Sequence, residues 1–317
     1  MKWLKRKLIK WLFDPEVLKD VELRLPYLRV GSGTVEIDGE AIRFPALTSD
    51  PSTLRAGLLW YRGDSDEWKY SPDGANMKKL GPAEIGMNEQ SFTSTGLNSW
   101  TVPNGVNVVY ILVVGGGGGG GNTSECEGAG GGGGGGEIVY AIGYVEPGES
   151  LSIYVGAGGG AASDGEASYV QGKYFYVEAL GGKAGSNGSG SIGGAGGAGG
   201  SGGEERGLVI TYRTPGANGG KGAGNKNTAG SSGGSITMGT VTFSGGAGGA
   251  GGSYGGGGGG GGASFGNGGK GGNGMENGNN GGLYGGGGGG AGGDYVIGYW
   301  HVGGSGAQGI VKIWYAG

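Results

Sequence analysis

VVYILVVGGGGGGG, residues 108–121, passes in one step from an unbroken apolar strand into pure glycine. Glycine then dominates from Gly115 to about Gly293. It is densest at Gly115–Gly121, Gly130–Gly136, Gly255–Gly262 and Gly285–Gly290. Fixing a glycine backbone sacrifices more entropy than fixing any other residue, so such a tract either stays disordered or orders where only glycine fits. Helix and strand interiors are both weakened by glycine and do not supply that order. Collagen needs a strict Gly-X-Y register with abundant proline. This chain has 9 prolines, and Gly255–Gly262 breaks any such register. The candidate left is the extended left-handed helix of three residues per turn, rising about 3.1 Å per residue. Without side chains, such helices can pack together and hydrogen-bond to one another, which meets the demand that buried N–H and C=O groups find partners.

Composition narrows the functional classes. Glycine makes up 93 of 317 residues, and the net charge is −4. That balance does not suit a general nucleic-acid binder, and nucleic acid is not expected as a partner. Arg-Gly-Gly boxes are missing, and after residue 115 the only arginines are Arg206 and Arg213. Cys126 is the lone cysteine and His301 the lone histidine, which excludes an intramolecular disulfide framework and a zinc site. No nucleophile elbow accompanies His301, and no separation across a cleft fixes Asp164 with Glu166 or Glu204 with Glu205 as catalytic carboxylate pairs. The expectation is a protein that is not an enzyme and holds neither cofactor nor metal.

Met1–Phe13, MKWLKRKLIKWLF, is amphipathic at helical spacing. Leu4, Leu8, Trp11 and Leu12 share a face, and Trp3 adds to the apolar set. Three readings stand: docking on a partner protein, lying on a membrane surface, or packing on its own chain. Asp14-Pro15-Glu16 starts a second short helix, stopped by Pro26. Strand-like texture follows. Thr34–Ile37 and Ala41–Phe44 flank an Asp38-Gly39 hairpin turn. Leu58–Tyr61 and Glu67–Tyr70 flank the Arg62–Asp66 turn, in which Arg62-Gly63-Asp64 is read as a polar turn. Residues 76–88 read as a linker.

The segments framing the glycine tract carry the most specific signal. Phe92-Thr93, Trp100–Val106, Val113–Gly118, Pro147–Gly159 and Gly309–Tyr315 occur in order. Together they resemble the Phe-Thr…Trp-x-Val-Pro-x-Gly-Val opening, Val-Val-Gly-Gly-Gly-Gly strand end, Pro-Gly-Glu turn, Val-Gly-x-Gly-Gly strand end and Gly-x-Val-x-Ile-x-Tyr closing strand of a known family. It is the glycine-rich domain of phage and other viral tail proteins and of some bacterial surface proteins. The hairpin stretch Gly57–Gly74 is similar to small modules of viral tail fibres. The resemblance implies polyglycine II helices packed on a β framework, and a homotrimer, as viral fibres usually are.

The expected fold is therefore mainly β with packed polyglycine II helices. A helical attachment segment spans 1–27, a β-hairpin module and linker 28–88, and a glycine-rich, β-sandwich-like tip domain 89–317. The expected function is that of a virion tail-fibre or spike adhesin, extracellular, which binds a host-surface glycan or protein through loops between the glycine helices. Its N-terminal helix would dock on another virion protein or on a membrane. Candidate receptor-binding residues are Tyr174, Tyr176, Tyr212, Arg213, Tyr295, Tyr299 and Trp300, which stand in the inserts that interrupt glycine. The alternative is a purely structural subunit of a virion or cell-surface filament.

Overall fold

A computed structural model describes residues 87–316 apart from 125–127, 239–240, 254 and 295–299, and before residue 87 only the backbone of short strands. Both expected N-terminal helices, the turn at 63–66, Cys126, Tyr295 and Tyr299 lie outside the described residues. Among the described residues there is no helix. The chain divides into two units, Met1–Met87 with Met238–Thr240, and Asn88–Thr237 with Val241–Gly317.

In the first unit β1 (Glu36–Asp38) pairs antiparallel with β2 (Ala41–Arg43). A second sheet runs in the order β3 (Ala46–Leu47), β4 (Leu58–Arg62), β5 (Glu67–Ser71), β6 (Lys78–Lys79). β4 and β5 form the expected hairpin, with Trp60 opposite Lys69 and Tyr61 opposite Trp68. The stretch read as a linker from 76 is thus partly strand, because Lys78 and Lys79 pair with Tyr70 and Lys69.

The second unit is built on two facing five-stranded sheets. Its strands are β7 (Met87–Phe92), β8 (Gly96–Thr101), β9 (Val108–Val114), β10 (Thr123–Ser124), β11 (Ile138–Tyr144), β12 (Ser150–Val155), β13 (Ser168–Gln171), β14 (Tyr176–Ala179), β15 (Glu205–Arg206), β16 (Leu208–Thr214), β17 (Ile236–Met238), β18 (Val241–Phe243), β19 (Trp300–His301) and β20 (Ile310–Ala316). One sheet has the order β16-β11-β9-β20-β7 and the other β15-β14-β13-β12-β8. Alternation along the strands sends Val109, Ile111, Val113, Val139, Leu151, Ile153, Val155, Val170, Val177, Val311 and Ile313 into one core between the sheets. Leu112 and Val114 of β9 are buried on the opposite face, as the continuous apolar run predicts. The aromatic insert 169–177 holds parts of two strands, β13 and β14, which reverse at Gly172–Phe175.

Where these strands end, the glycine runs begin, and their hydrogen bonds repeat every third residue. Along 130–136, Gly130 and Gly133 donate to Ala291 and Gly288, Gly131 and Gly134 to Ser186 and Lys183, and Gly132 and Gly135 to Gly220 and Ala217. The carbonyls of the same run accept from three further segments. Gly131 and Gly134 receive Gly121 and Gly118, Gly132 and Gly135 receive Gly197 and Gly200, and Gly130 and Gly133 receive Gly259 and Gly262. Each residue faces a different neighbour from the one before it, so a single run is held by six others. The runs 115–121, 255–262 and 285–292 are held in the same way and bond directly to one another or through 130–136. These four are the densest glycine runs of the sequence, and every residue in them is buried. A Cβ on Gly119 would overlap the carbonyl of Gly160, and one on Gly132 the carbonyl of Gly260.

Around these four, the outer runs carry a side chain at every third position. Ala195 and Ala198, Ala247 and Ala250, and Asn277 and Asn280 are exposed, while Gly194, Gly197 and Gly200 are buried. A threefold backbone on the outside of a bundle has one row facing water, and that row tolerates a side chain. Where an outward N–H lacks a neighbouring run, asparagine supplies the acceptor. Asn277 Oδ1 accepts from Val302 at 2.9 Å, Asn280 Oδ1 from Ser305 at 2.9 Å, and Asn218 Oδ1 from Gly199 at 2.9 Å.

Candidate recognition surface at the lattice tip

The bond levels along the runs fix which loops share an end. At the sandwich end, Gly115 donates to Glu137, Glu137 to Leu180, Gly136 to Gly285 and Gly309 to Gly156. At the far end, Gly121 donates to Gly131, Gly128 to Gly190, Asn227 to Gly252 and Met275 to Gly293. The described residues at 121–124 and 128, 188–192, 224–228, 252–253 and 255, 274–277, and 294 with 300–302, where the chain reverses, therefore all lie at the far end of the lattice, away from the sandwich. The inserts at 204–218 and 235–243 return to the sandwich end, and that at 161–180 does so after a turn level with Gly119 and Gly120; together they hold β13 to β18.

At the tip β10 pairs with β19, Ser124 opposite Trp300 and Thr123 opposite His301. Successive strand residues point to opposite faces. Trp300 accordingly stands 73% exposed, whereas His301 turns inward and its Nε2 meets Oδ2 of the buried Asp294 at 3.1 Å. This contact is an ion pair whenever the imidazole is protonated. Thr123, also buried, donates its hydroxyl to Gly128 O at 2.9 Å. Asn122 ties the same loop to the returning chain, since its Oδ1 accepts from Gly303 at 3.0 Å and its N–H donates to Asn187 Oδ1 at 2.8 Å. Exposed Ile192, Met275 and Val302 stand on the adjoining reversals. Val302 is bonded to Asn277 and Gly278, and Met275 to Gly293. The tip therefore presents apolar side chains on backbones fixed by the lattice, and most of its asparagine carbonyls are spent internally.

Of the residues read from the sequence as receptor-binding, only Trp300 is described at this end. Tyr174, Tyr176, Tyr212 and Arg213 lie on the sandwich, so the structure does not bring the set together. Tyr174 is exposed on the β13–β14 turn; its hydroxyl donates to Glu146, and Lys173 Nζ sits 4.8 Å from its ring centre. Tyr212 is partly exposed on β16. Tyr176 belongs to a row that crosses the outer face of the second sheet. Tyr154 and Tyr169 are stacked at 5.4 Å, Tyr169 and Tyr176 lie 5.7 Å apart, and Arg206 covers Tyr176 at 5.2 Å. The rings stand on edge and cover one another, so this row offers no flat platform for a sugar. Burial, with Glu178 alongside, pushes the Tyr176 hydroxyl up to about 12.

Arg213 serves the joint between sandwich and lattice. Its guanidinium donates to Glu137 Oε1 at 3.1 Å, Glu205 Oε2 at 2.9 Å, and the carbonyls of Glu178 and Glu204. Those bonds use the planar fork that a receptor would otherwise need. Glu137 is the residue that sequence reasoning missed. The step from seven glycines to a single carboxylate before β11 was the available signal. Among the described residues no cluster of His, Cys, Asp and Glu could hold a metal ion.

A family model described as a glycine-rich domain matches residues 93–316, and the chain belongs to that family. Among curated proteins nothing matches the chain.

Proposed function

We propose that this chain is a virion structural protein, a tail-fibre or spike adhesin that binds a host-cell surface through the loops at the lattice tip. The observation that carries this reading is the gathering of six reversals at one end of a bonded glycine lattice, with Trp300 and Ile192 exposed on them. In this reading the runs are polyglycine II helices. Their period-three bonding matches that helix, and a run such as 115–121 reaches about 22 Å from the sandwich. A rigid scaffold lowers the entropy lost when loops bind, which suits recognition better than catalysis. The chain takes no cofactor and no nucleic acid, acts outside the cell, and attaches through its N-terminal region to a virion protein or membrane. Its ligand is a surface glycan or protein.

The test is binding of labelled full-length protein to a panel of bacterial and archaeal cells. Saturable binding to one host is expected, and the double variant Ile192→Asp, Trp300→Ala should weaken it at least tenfold. Leu283→Ser, an exposed change at the sandwich end, should leave it unaltered. A protein that binds no cell, or binds equally well in both variants, is instead a structural subunit of a filament.

A further inference from the structure

The four edges of the sandwich are not equally protected. An unpaired strand edge is a template for another strand, and proteins usually guard it with charge, short length or a covering element. β15 is two residues long and both are charged, Glu205 and Arg206. β16 carries Arg213, which bridges to Glu205 across that side of the sandwich at 2.9 Å. β7 carries Glu89, whose carboxylate accepts from Lys312 Nζ at 2.6 Å and Trp314 Nε1 at 2.8 Å. Among the described residues β8, GLNSWT, has none of these guards. It is six residues long, ends its sheet, and contains neither charge nor proline. The next two strands inward, β12 (SLSIYV) and β13 (SYVQ), are also uncharged. Leu97 on β8 is 71% exposed, and Ser99 and Thr101 on the same face are exposed too.

We propose that β8 is an assembly edge and that its occupant is the β8 of a second copy of this chain, paired antiparallel about a two-fold axis. A two-fold contact places each strand against itself, so it is open only to a strand whose residues do not repel their own copies. β8 meets that condition in every register, whereas β16 and β7 have registers that set Arg213 or Glu89 against its own copy, and β15 is only two residues long. The contact joins two five-stranded sheets into one continuous sheet and hides Leu97 beside its equivalent. Its symmetry differs from the three copies implied by the likeness to viral fibres. The pairing does not depend on what the tip binds.

The experiment is the mass of the full chain by size-exclusion chromatography with light scattering. The wild type is expected at twice 31.0 kDa. The double variant Leu97→Lys, Ser99→Lys should fall to one chain with an unchanged melting temperature, while Tyr144→Lys, also exposed but on β11, should keep the wild-type mass. A Leu97→Cys change in a Cys126→Ser background should form a disulfide-linked pair on mild oxidation. A wild type of one or three chains, or a β8 double variant that keeps the wild-type mass, overturns the proposal.

Discussion

Arg213 Nη1 lies 3.1 Å from Oε1 of Glu137, a carboxylate only 1% exposed at the point where run 130–136 becomes β11. The same carboxylate accepts the N–H groups of Leu180, Gly202 and Gly203 at 3.0–3.2 Å. One side chain thus ties together the end of a central glycine run, the end of β14 and the turn before β15. Removing one member of such a buried pair leaves the other uncompensated, which typically costs about 3–5 kcal/mol. Arg213→Ala is expected to destabilise the glycine-rich unit by about 3 kcal/mol in denaturant titrations, and Arg213→Lys should recover only part of that, because a point charge cannot replace the fork.

The lattice predicts a sharp difference between glycines. Gly132→Ala would drive its Cβ into the Gly260 carbonyl, and neither backbone can yield without breaking its own bonds. A loss of about 3 kcal/mol is expected from overpacking together with broken hydrogen bonds. Gly160→Ala meets nothing within 4 Å and should change stability by no more than about 0.5 kcal/mol. Thermal unfolding of the two variants measures the contrast directly.

The outer asparagines give a milder prediction. Asn277→Ala and Asn280→Ala each remove the acceptor of an outer-run N–H, at Val302 and Ser305. Each should lower stability by about 1 kcal/mol. Amide exchange should accelerate at Val302 in the first variant and at Ser305 in the second, with the central runs unaffected.

Stability should also fall on the alkaline side. Burial raises the Tyr140 and Tyr176 hydroxyls from 10.0 to about 12, with Tyr212 adding to the first and Glu178 to the second. The unfolded chain ionises near 10 while the folded chain resists until about 12, so this contribution is whole below pH 10 and is lost as pH rises toward 12. Unfolding free energy measured across pH 9–12 should decline, and Tyr140→Phe, Tyr176→Phe should flatten the decline.

Much of the glycine-rich unit is legible in the sequence, because the same physics acts locally and globally there. β9, β11, β12 and β20 fall where the apolar runs and the Pro147-Gly148 turn place them. The four densest glycine runs are the four fully surrounded ones, since a run with no solvent-facing row accepts at most a small side chain such as the buried methyl of Ala291. The split of 169–177 into two strands is less visible, because Gly172 and Lys173 are weak turn signals. The tip is legible only in part. Whether an insert lies at the tip or at the sandwich depends on how many residues the preceding run spends travelling outward, and only the bond register shows that. Arg213 reads as a free cation because its partners, Glu137 and Glu205, come from separate segments. Asn277 and Asn280 read as loop polarity, yet their three-residue spacing marks an outer run.

Amide hydrogen exchange across the glycine tract tests the central claim most directly. The bonding described here predicts strong protection through 115–121, 130–136, 255–262 and 285–292, and weaker protection at outward N–H groups such as those of Ala195 and Ala198. Exchange at the rate of an unstructured chain through those four runs would contradict the lattice, and with it the surface on which the proposed recognition rests.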